Sequence, residues 1–510
     1  MKRALGGLIA VLLGAAMSLV QPQGAAAAAT CDRLSSLTFP DATITSAATI
    51  EAGKFVSPAG TQGNAPFATL PAFCRVTAVL KPAADSHIEM ELWLPIDGWN
   101  GKFQAVGNGG WAGTISYASQ GASLSDALRR GYAAASTDTG HQGNNALFAI
   151  GHPDKLIDYA YRAVHEMTLK SKAILSEFYG RPARLSYWNG CSTGGRQGLM
   201  EAQKYPDDFD GIVAGAPANY HTHLHTWDLS VTVPTLLNPA SAVPPAKLAT
   251  LNRAVIEACD ARDGVRDGLL NDPRACKFDP ATLLCKSTDT ESCLTAPQLE
   301  SVKRMYAPAR TTSGSLIFPG KDPGSESGWT AIAGGTQPAN VSLGSFQVAY
   351  GDAKWDWRTF AVDRDLEIVD QKVGAIVNAV NADLSRFKAR GGKLILFHGW
   401  NDTAISAGNT VNYYESVLSK VGAKQDDWMR LFMAPGMQHC GNGPGPNRAD
   451  YLAALERWRE SGTSPDQIVA SHMTDNAVDI TRPLCPYPQL AQYKGTGSMN
   501  DAANFVCRVP

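Results

Sequence analysis

The chain has 510 residues, of which 44% are apolar, 8% aromatic and 18% charged; that balance builds large hydrophobic cores and excludes disordered, collagen-like and coiled-coil architectures. Its 45 basic and 47 acidic side chains leave a formal charge of −2, so there is no basic field to gather nucleic acid or anionic lipid. The expected partner is a small molecule recognised locally.

The first residues read as an address. Lys2 and Arg3 precede an apolar run from Ala4 to Val20, broken by Gly6, Gly7 and Gly14, and small residues follow from Gly24 to Ala29. So short and glycine-interrupted a span predicts a cleaved signal peptide over residues 1–29 rather than a membrane anchor, and hence a secreted or periplasmic protein.

Strand signals begin at Ile88, where Ile88, Met90, Leu92 and Leu94 alternate with Glu89, Glu91 and Trp93 as in a half-buried strand. Phe103 to Val106 and Tyr132 to Thr137 read as further short strands. The glycine-rich segment Gly107-Asn108-Gly109-Gly110-Trp111-Ala112-Gly113 has the spacing of neither a dinucleotide fingerprint nor a P-loop. Between Asp154 and Tyr179, Ala160, Val164, Met167, Ile174 and Phe178 recur at helical spacing, and Gly180 with Pro182 supplies a stop.

A strand over Leu185 to Trp188 leads into Gly190-Cys191-Ser192-Thr193-Gly194, a G-x-S-x-G elbow followed by a helix-compatible stretch. A serine hydroxyl is a weak nucleophile unless a base and a substrate carbonyl can both reach it, which a sharp strand-to-helix turn permits. Ser192 is therefore the candidate nucleophile. The Thr193 amide and that of Gly109 or Gly110 are the candidate oxyanion donors.

After a strand at Gly211 to Ala216, the alternation of strand and helix stops. Residues 217–385 are rich in Pro, Gly, Ser and Thr and read as an inserted second domain folded over a catalytic body made of 30–216 and 386–510. His221, His223 and His225 alternate like strand-borne metal ligands but lack a carboxylate or thiol partner. Trp329, Trp355 and Trp357 read as part of the insertion's own core rather than as the wall of an aromatic pocket. Asp260, Asp263 and Asp267, interleaved with Gly264 and Gly268, form an acidic loop suited to a hard cation.

Beyond the insertion, the strand Lys393 to Phe397 runs into a turn carrying Asp402, and the strand Arg430 to Ala434 runs into a loop carrying His439. The order Ser, Asp, His is that of an α/β-hydrolase triad, in which His439 would be the base and Asp402 its orienting acid. His398, which precedes the turn, is taken as structural. The alternation as a whole predicts an α/β fold with a mostly parallel, doubly covered sheet.

All ten cysteines, Cys31, Cys74, Cys191, Cys259, Cys276, Cys285, Cys293, Cys440, Cys485 and Cys507, follow the signal segment. Counting does not fix their connectivity, but short loops favour Cys259 with Cys276, Cys285 with Cys293 and Cys485 with Cys507. Cys31 with Cys74 and Cys191 with Cys440 would remain. The last pair adjoins the candidate nucleophile and base, and a bond there would staple Ser192 beside His439.

Together, Gly190 to Gly195, the Asp402 turn and His439-Cys440 resemble the paired-cysteine triad of the tannase and feruloyl esterase family of α/β-hydrolases, which also includes the hydrolase of mono(2-hydroxyethyl) terephthalate. The similarity extends over Trp355-Asp356-Trp357-Arg358-Thr359-Phe360 and the tail from Arg482 through Cys485-Pro486-Tyr487-Pro488 to Cys507. It implies a serine esterase with a lid, acting on small-molecule aromatic esters, most readily feruloyl or other hydroxycinnamoyl esters, with gallate esters and a terephthalate monoester as alternatives. It also implies five disulfides paired as above, no organic cofactor, and a structural Ca2+ in the lid held by Asp260, Asp263, Asp267 and the carbonyls of Val265 and Leu269. From a different class, an inactive carbohydrate-binding protein could keep this fold, but the intact elbow, acid and histidine argue against it. Neither nucleic acid nor membrane is expected as a partner, and the sequence leaves the oligomeric state open.

Overall fold

The computed structural model describes residues 1, 30–58, 65–119 and 122–510; the signal peptide expected over residues 1–29 lies outside the described residues except for Met1. Nine strands form one sheet: β1 (Ala42–Ile50), β2 (Phe73–Leu80), β3 (Ile88–Pro95), β4 (Lys102–Val106), β5 (Ala133–Thr137), β6 (Leu185–Cys191), β7 (Gly211–Gly215), β8 (Lys393–Gly399) and β9 (Met429–Ala434). Their spatial order is β1-β2-β3-β5-β4-β6-β7-β8-β9. The pairs from β1 to β5 through β3 are antiparallel, and every pair from β5 onward is parallel.

The strand sequences show why the sheet is buried on both faces. Leu394 and Leu396 of β8 belong to one apolar core, while Ile395 and Phe397 belong to another on the opposite face. β3 was expected to be half-buried, yet it is covered on both sides. Its second face carries Trp93 against Phe55 and Phe73, and the carboxylate of Glu91 on that face accepts from Arg75 (2.9 Å), Trp93 (2.8 Å) and Tyr117 (2.6 Å). A buried charge so completely partnered loses most of its desolvation penalty.

Five helices position the site: α1 (Ala163–Tyr179), α2 (Thr193–Lys204), α3 (His221–Leu237), α4 (Gly408–Val421) and α5 (Tyr451–Ser461). The helix expected from Asp154 to Tyr179 is not continuous. A wide turn over Asp158–Arg162 precedes α1, and the main-chain carbonyls of Tyr159 and Ala160 in it accept from the fully buried guanidinium of Arg196 on α2. Wide turns of this kind free carbonyls for such use. α1 stops at Gly180, whose φ of 66° is the left-handed conformation glycine adopts without strain.

Residues 217–385 add helices rather than more sheet: α3, Pro245–Cys259, Ala296–Tyr306, Asn340–Tyr350 and Val362–Val369, with one small two-stranded ribbon of Ala309–Arg310 and Leu316–Phe318. Their apolar faces make a third core around Trp227, Trp329 and Phe346, which extends onto Trp111 and Tyr159 of the catalytic body. The strand-like reading of His221, His223 and His225 gives way to α3. On the helix His221 and His225 share a face, their ring centres 4.2 Å apart, while His223 turns away from them; His223 meets Ile317 and Asp370, and His225 meets Ser345.

Candidate active site

Ser192 sits between β6 and α2 with φ 64° and ψ −123°, a strained conformation for a residue with a side chain. Three main-chain hydrogen bonds hold it there: its amide donates to the Gly215 carbonyl at 3.0 Å, and its carbonyl accepts from Arg196 and Ala218 at 3.1 Å each. The glycines around it are required by contact. A Cβ on Gly107 would lie 2.5 Å from the Gly194 Cα, and one on Gly190 would lie 2.6 Å from the Gly194 carbonyl oxygen. The elbow therefore closes only where backbone meets backbone.

Asp402 is buried in the turn after β8, and its two oxygens have different tasks. Oδ1 accepts from the amides of Ala404 and Ile405, each at 2.8 Å. Oδ2 accepts from His439 Nδ1 at 2.7 Å and from His398 Nε2 at 3.0 Å. Burial by itself would raise the Asp402 pKa, but the His439 charge and the hydrogen bonds of His398 and His439 overcome it and hold the carboxyl well below the usual carboxylate range. His439 shows the reciprocal balance: burial disfavours its cation, yet the Asp402 charge and hydrogen bond raise its pKa above the ordinary histidine value.

His398, taken from the sequence as structural, is a positioning residue for this pair. It is fully buried, and its other nitrogen lies 2.7 Å from the Thr410 hydroxyl on α4. Lys321 of the insertion escaped the sequence reading altogether. Its buried ammonium lies 4.5 Å from the centre of the Trp227 ring with no hydrogen-bond partner among the described residues, and its charge acts to depress His439. A lone lysine in a Pro/Gly-rich insertion carries no sequence signal that could have found it.

A disulfide joins Cys191 to Cys440 with their Cα atoms 5.9 Å apart, across a sequence separation of 249. The residues next to these two are Ser192 and His439, and all four line one cleft of about 530 Å3. The chain around the second cysteine is unusual, since Cys440 and Asn442 have φ of 59° and 58°. The other bonds are Cys31–Cys74, Cys259–Cys276, Cys285–Cys293 and Cys485–Cys507.

The glycine-rich loop after β4 forms the facing wall of the cleft, with Gly109 and Gly110 both in the lining. It is ordered by groups the sequence did not point to. Gln197 on α2 exchanges two hydrogen bonds with Asn108, at 3.1 and 3.0 Å, and Asn108 in turn donates to the Thr114 and Thr137 carbonyls. The Gly110 carbonyl accepts from the Thr193 hydroxyl at 2.6 Å and from the Tyr159 hydroxyl at 3.1 Å. Thr193 is the first residue of α2, so its amide belongs to the positive end of a helix. From outside, the insertion holds the same loop, because Trp111 Nε1 donates to the Val341 carbonyl at 2.9 Å.

Ile115 and Tyr117 give the cleft an apolar side, and Asn108, Ser116 and Asn144 a polar one. Among the described lining residues none comes from the insertion, and none is Lys, Arg, Asp or Glu. Trp329 is buried in the insertion's own core, and Trp355 stacks on Phe346 at 5.1 Å; these tryptophans do not wall the cleft.

The acidic loop is closed by its own amides. Asp260 Oδ1 accepts from Asp267 and Gly268, Asp263 Oδ1 from Val265, and Asp267 Oδ1 from Leu269. Burial, with Asp267 and Asp260 adding to it, pushes the Asp263 carboxyl up to about 6. Asp263, Asp267 and Leu269 also border a small void together with Asn271 and Arg482. Asp263, Asp267 and Asn271 offer a hard cation oxygen donors there, but Asp260 and Val265, expected as ligands, do not border the void. One feature competes with it: Arg482 pairs with Asp267 at 2.6 Å.

The chain is similar to known proteins over most of its length. A family model described as tannase and feruloyl esterase matches residues 74–508. An uncharacterized esterase of Xanthomonas campestris pv. campestris is 38% identical over 537 residues, covering 95% of this chain and 92% of that protein. The mono(2-hydroxyethyl) terephthalate hydrolase of Piscinibacter sakaiensis is 33% identical over 521 residues, covering 87% and 86%. The crystal structure of feruloyl esterase B from Aspergillus oryzae superposes with a TM-score of 0.87 at 30% identity, covering 94% of this chain and 99% of that one. The protein is a carboxylic ester hydrolase with the α/β-hydrolase fold, and the chain belongs to the tannase and feruloyl esterase family.

Proposed function

We propose that the chain hydrolyses feruloyl or related hydroxycinnamoyl esters through a Ser192–His439–Asp402 triad. Ser192 Oγ attacks the ester carbonyl while its proton passes to His439. The oxyanion is met by the amide of Thr193 and that of Gly109 or Gly110. His439 then gives its proton to the departing alcohol, leaving an acyl-enzyme. Water attacks that ester, its proton goes to His439, and the same proton returns to Ser192 as the acid leaves. Asp402 holds the imidazole tautomer and its transient charge throughout.

The observation that carries this reading is the cleft in which Ser192 and His439 lie together, with His439 backed by the ionised Asp402. The absence of any described Lys or Arg from that lining favours a neutral phenolic acyl group over a terephthalate monoester, whose free carboxylate would call for a cation. Likeness to feruloyl esterase B supports ferulate ahead of gallate. We further assign residues 217–385 to a lid and the acidic loop to a structural Ca2+ held by Asp260, Asp263, Asp267 and the carbonyls of Val265 and Leu269. Such an ion would hold the loop's turn and take no part in ester chemistry. The five disulfides, with no free cysteine among the described residues, suit a secreted or periplasmic protein.

A rate panel over methyl ferulate, methyl gallate and mono(2-hydroxyethyl) terephthalate tests the substrate. Methyl ferulate is expected to have the highest kcat/KM. A preference for the terephthalate monoester would overturn the assignment.

A further inference from the structure

We infer that His165, Glu201 and Asp208 form a divalent-cation site, of zinc-like preference, on the side of the catalytic body away from the cleft residues. His165 lies on α1, Glu201 on α2, and Asp208 in the connection to β7. Each offers one ligand atom, and the three atoms lie within 4.8 Å of one another. One imidazole nitrogen with two carboxylate oxygens is a donor set for zinc, which keeps a fourth position for water.

A second observation points to a ligand. Glu201 is 1% exposed, and among the described residues no hydrogen-bond donor meets either of its carboxylate oxygens. A buried carboxylate in that condition is costly unless something positive sits against it. The neighbouring cations supply it only in part: the Lys172 charge acts on the Glu201 carboxyl, but among the described residues no cation donates to either of its oxygens. Lys172 on α1 donates to the main-chain carbonyl of Asp208, and Arg390 donates to the carbonyls of Pro206 and Phe209. The His165 ring is already held in orientation: it stacks on Tyr205 with centroids 3.7 Å apart and presents Nδ1 to Asp208 Oδ2 at 2.6 Å. A tetrahedral zinc with bonds of about 2.1 Å spaces its ligands by roughly 3.4 Å, so this pair must open slightly as the ion enters. His165 is the exposed member, at 22% of its side chain, and marks the way in.

The rival occupant is a proton shared between the Glu201 and Asp208 carboxyls. The two differ in stoichiometry and in response to metal. The full chain, stripped with chelator and passed through gel filtration with excess zinc chloride, is expected to retain one zinc that both Glu201→Gln and His165→Gln lose, and zinc should raise the wild-type Tm without raising theirs. Calcium binding by the acidic loop should be unaffected in both variants. If Glu201→Gln fails to fold, the rim residue variant His165→Gln decides alone. Retention of no zinc by the wild type, or equal zinc in the variants, would leave the proton as occupant and overturn the inference.

Discussion

Replacing Cys191 and Cys440 together with alanine separates what the disulfide does for stability from what it does for catalysis. The bond closes a separation of 249 residues, so chain entropy sets an upper limit of about 5.5 kcal/mol on the stability lost. The catalytic cost has another source. Cys440 lies in a loop whose Cys440 and Asn442 both take positive φ, a conformation that costs of order 1–3 kcal/mol per residue and persists only when its surroundings impose it. Freed of the bond, the loop relaxes and carries His439 with it. A displacement of about 1 Å at a catalytic group costs roughly 100-fold in rate. The control is Cys485→Ala with Cys507→Ala, which removes a bond of separation 22 and about 3 kcal/mol of chain entropy without touching the cleft. Both double variants should melt earlier. At a temperature where circular dichroism shows all three proteins folded, only the Cys191/Cys440 variant should show kcat on a chromogenic aryl ester reduced by about two orders of magnitude. Wild-type kcat in that variant would refute the stapling argument.

Gly107→Ala would push a Cβ to 2.5 Å from the Gly194 Cα, displacing backbone on both walls of the elbow; a loss of about 1–3 kcal/mol in unfolding free energy together with a sharp fall in kcat is expected. The acid limb of the kcat/KM profile should lie above the ordinary histidine value of about 6.5, because Asp402 raises His439 and the base works only when neutral. Since Lys321 opposes that rise, Lys321→Met should move the limb to still higher pH; a limb that does not move would remove Lys321 from the electrostatics of the site. Calcium should raise Tm and chelator lower it, with the response lost in Asp263→Asn; melting indifferent to both would dispose of the ion.

The catalytic body was largely legible in the sequence because its signals are local. Short, mostly apolar runs marked β4, β6, β7, β8 and β9, and the elbow and the turns carrying Asp402 and His439 follow three of them. β1 and β2 were not recognised, since Ala42–Ile50 is mostly small or hydroxylated residues and its burial is slight. The helices of the insertion were obscured by prolines that in fact start them: Pro245 opens one, and Thr295 with Gln298 forms a capping box beside Pro297 in another. The continuous helix before Tyr179 failed for a long-range reason, because only the partner Arg196, reaching across from α2, explains the wide turn at Asp158–Arg162. Residues that act through others, His398, Gln197 and Lys321, have no sequence pattern of their own and emerge only from three-dimensional contact.

Covalent capture decides whether Ser192 is the nucleophile. Incubation with an alkyl fluorophosphonate, followed by intact-mass measurement and peptide mapping, should give one adduct per chain on Ser192, with activity lost in proportion and no adduct in Ser192→Ala. Label on another residue, or ester turnover surviving in Ser192→Ala, would contradict the account.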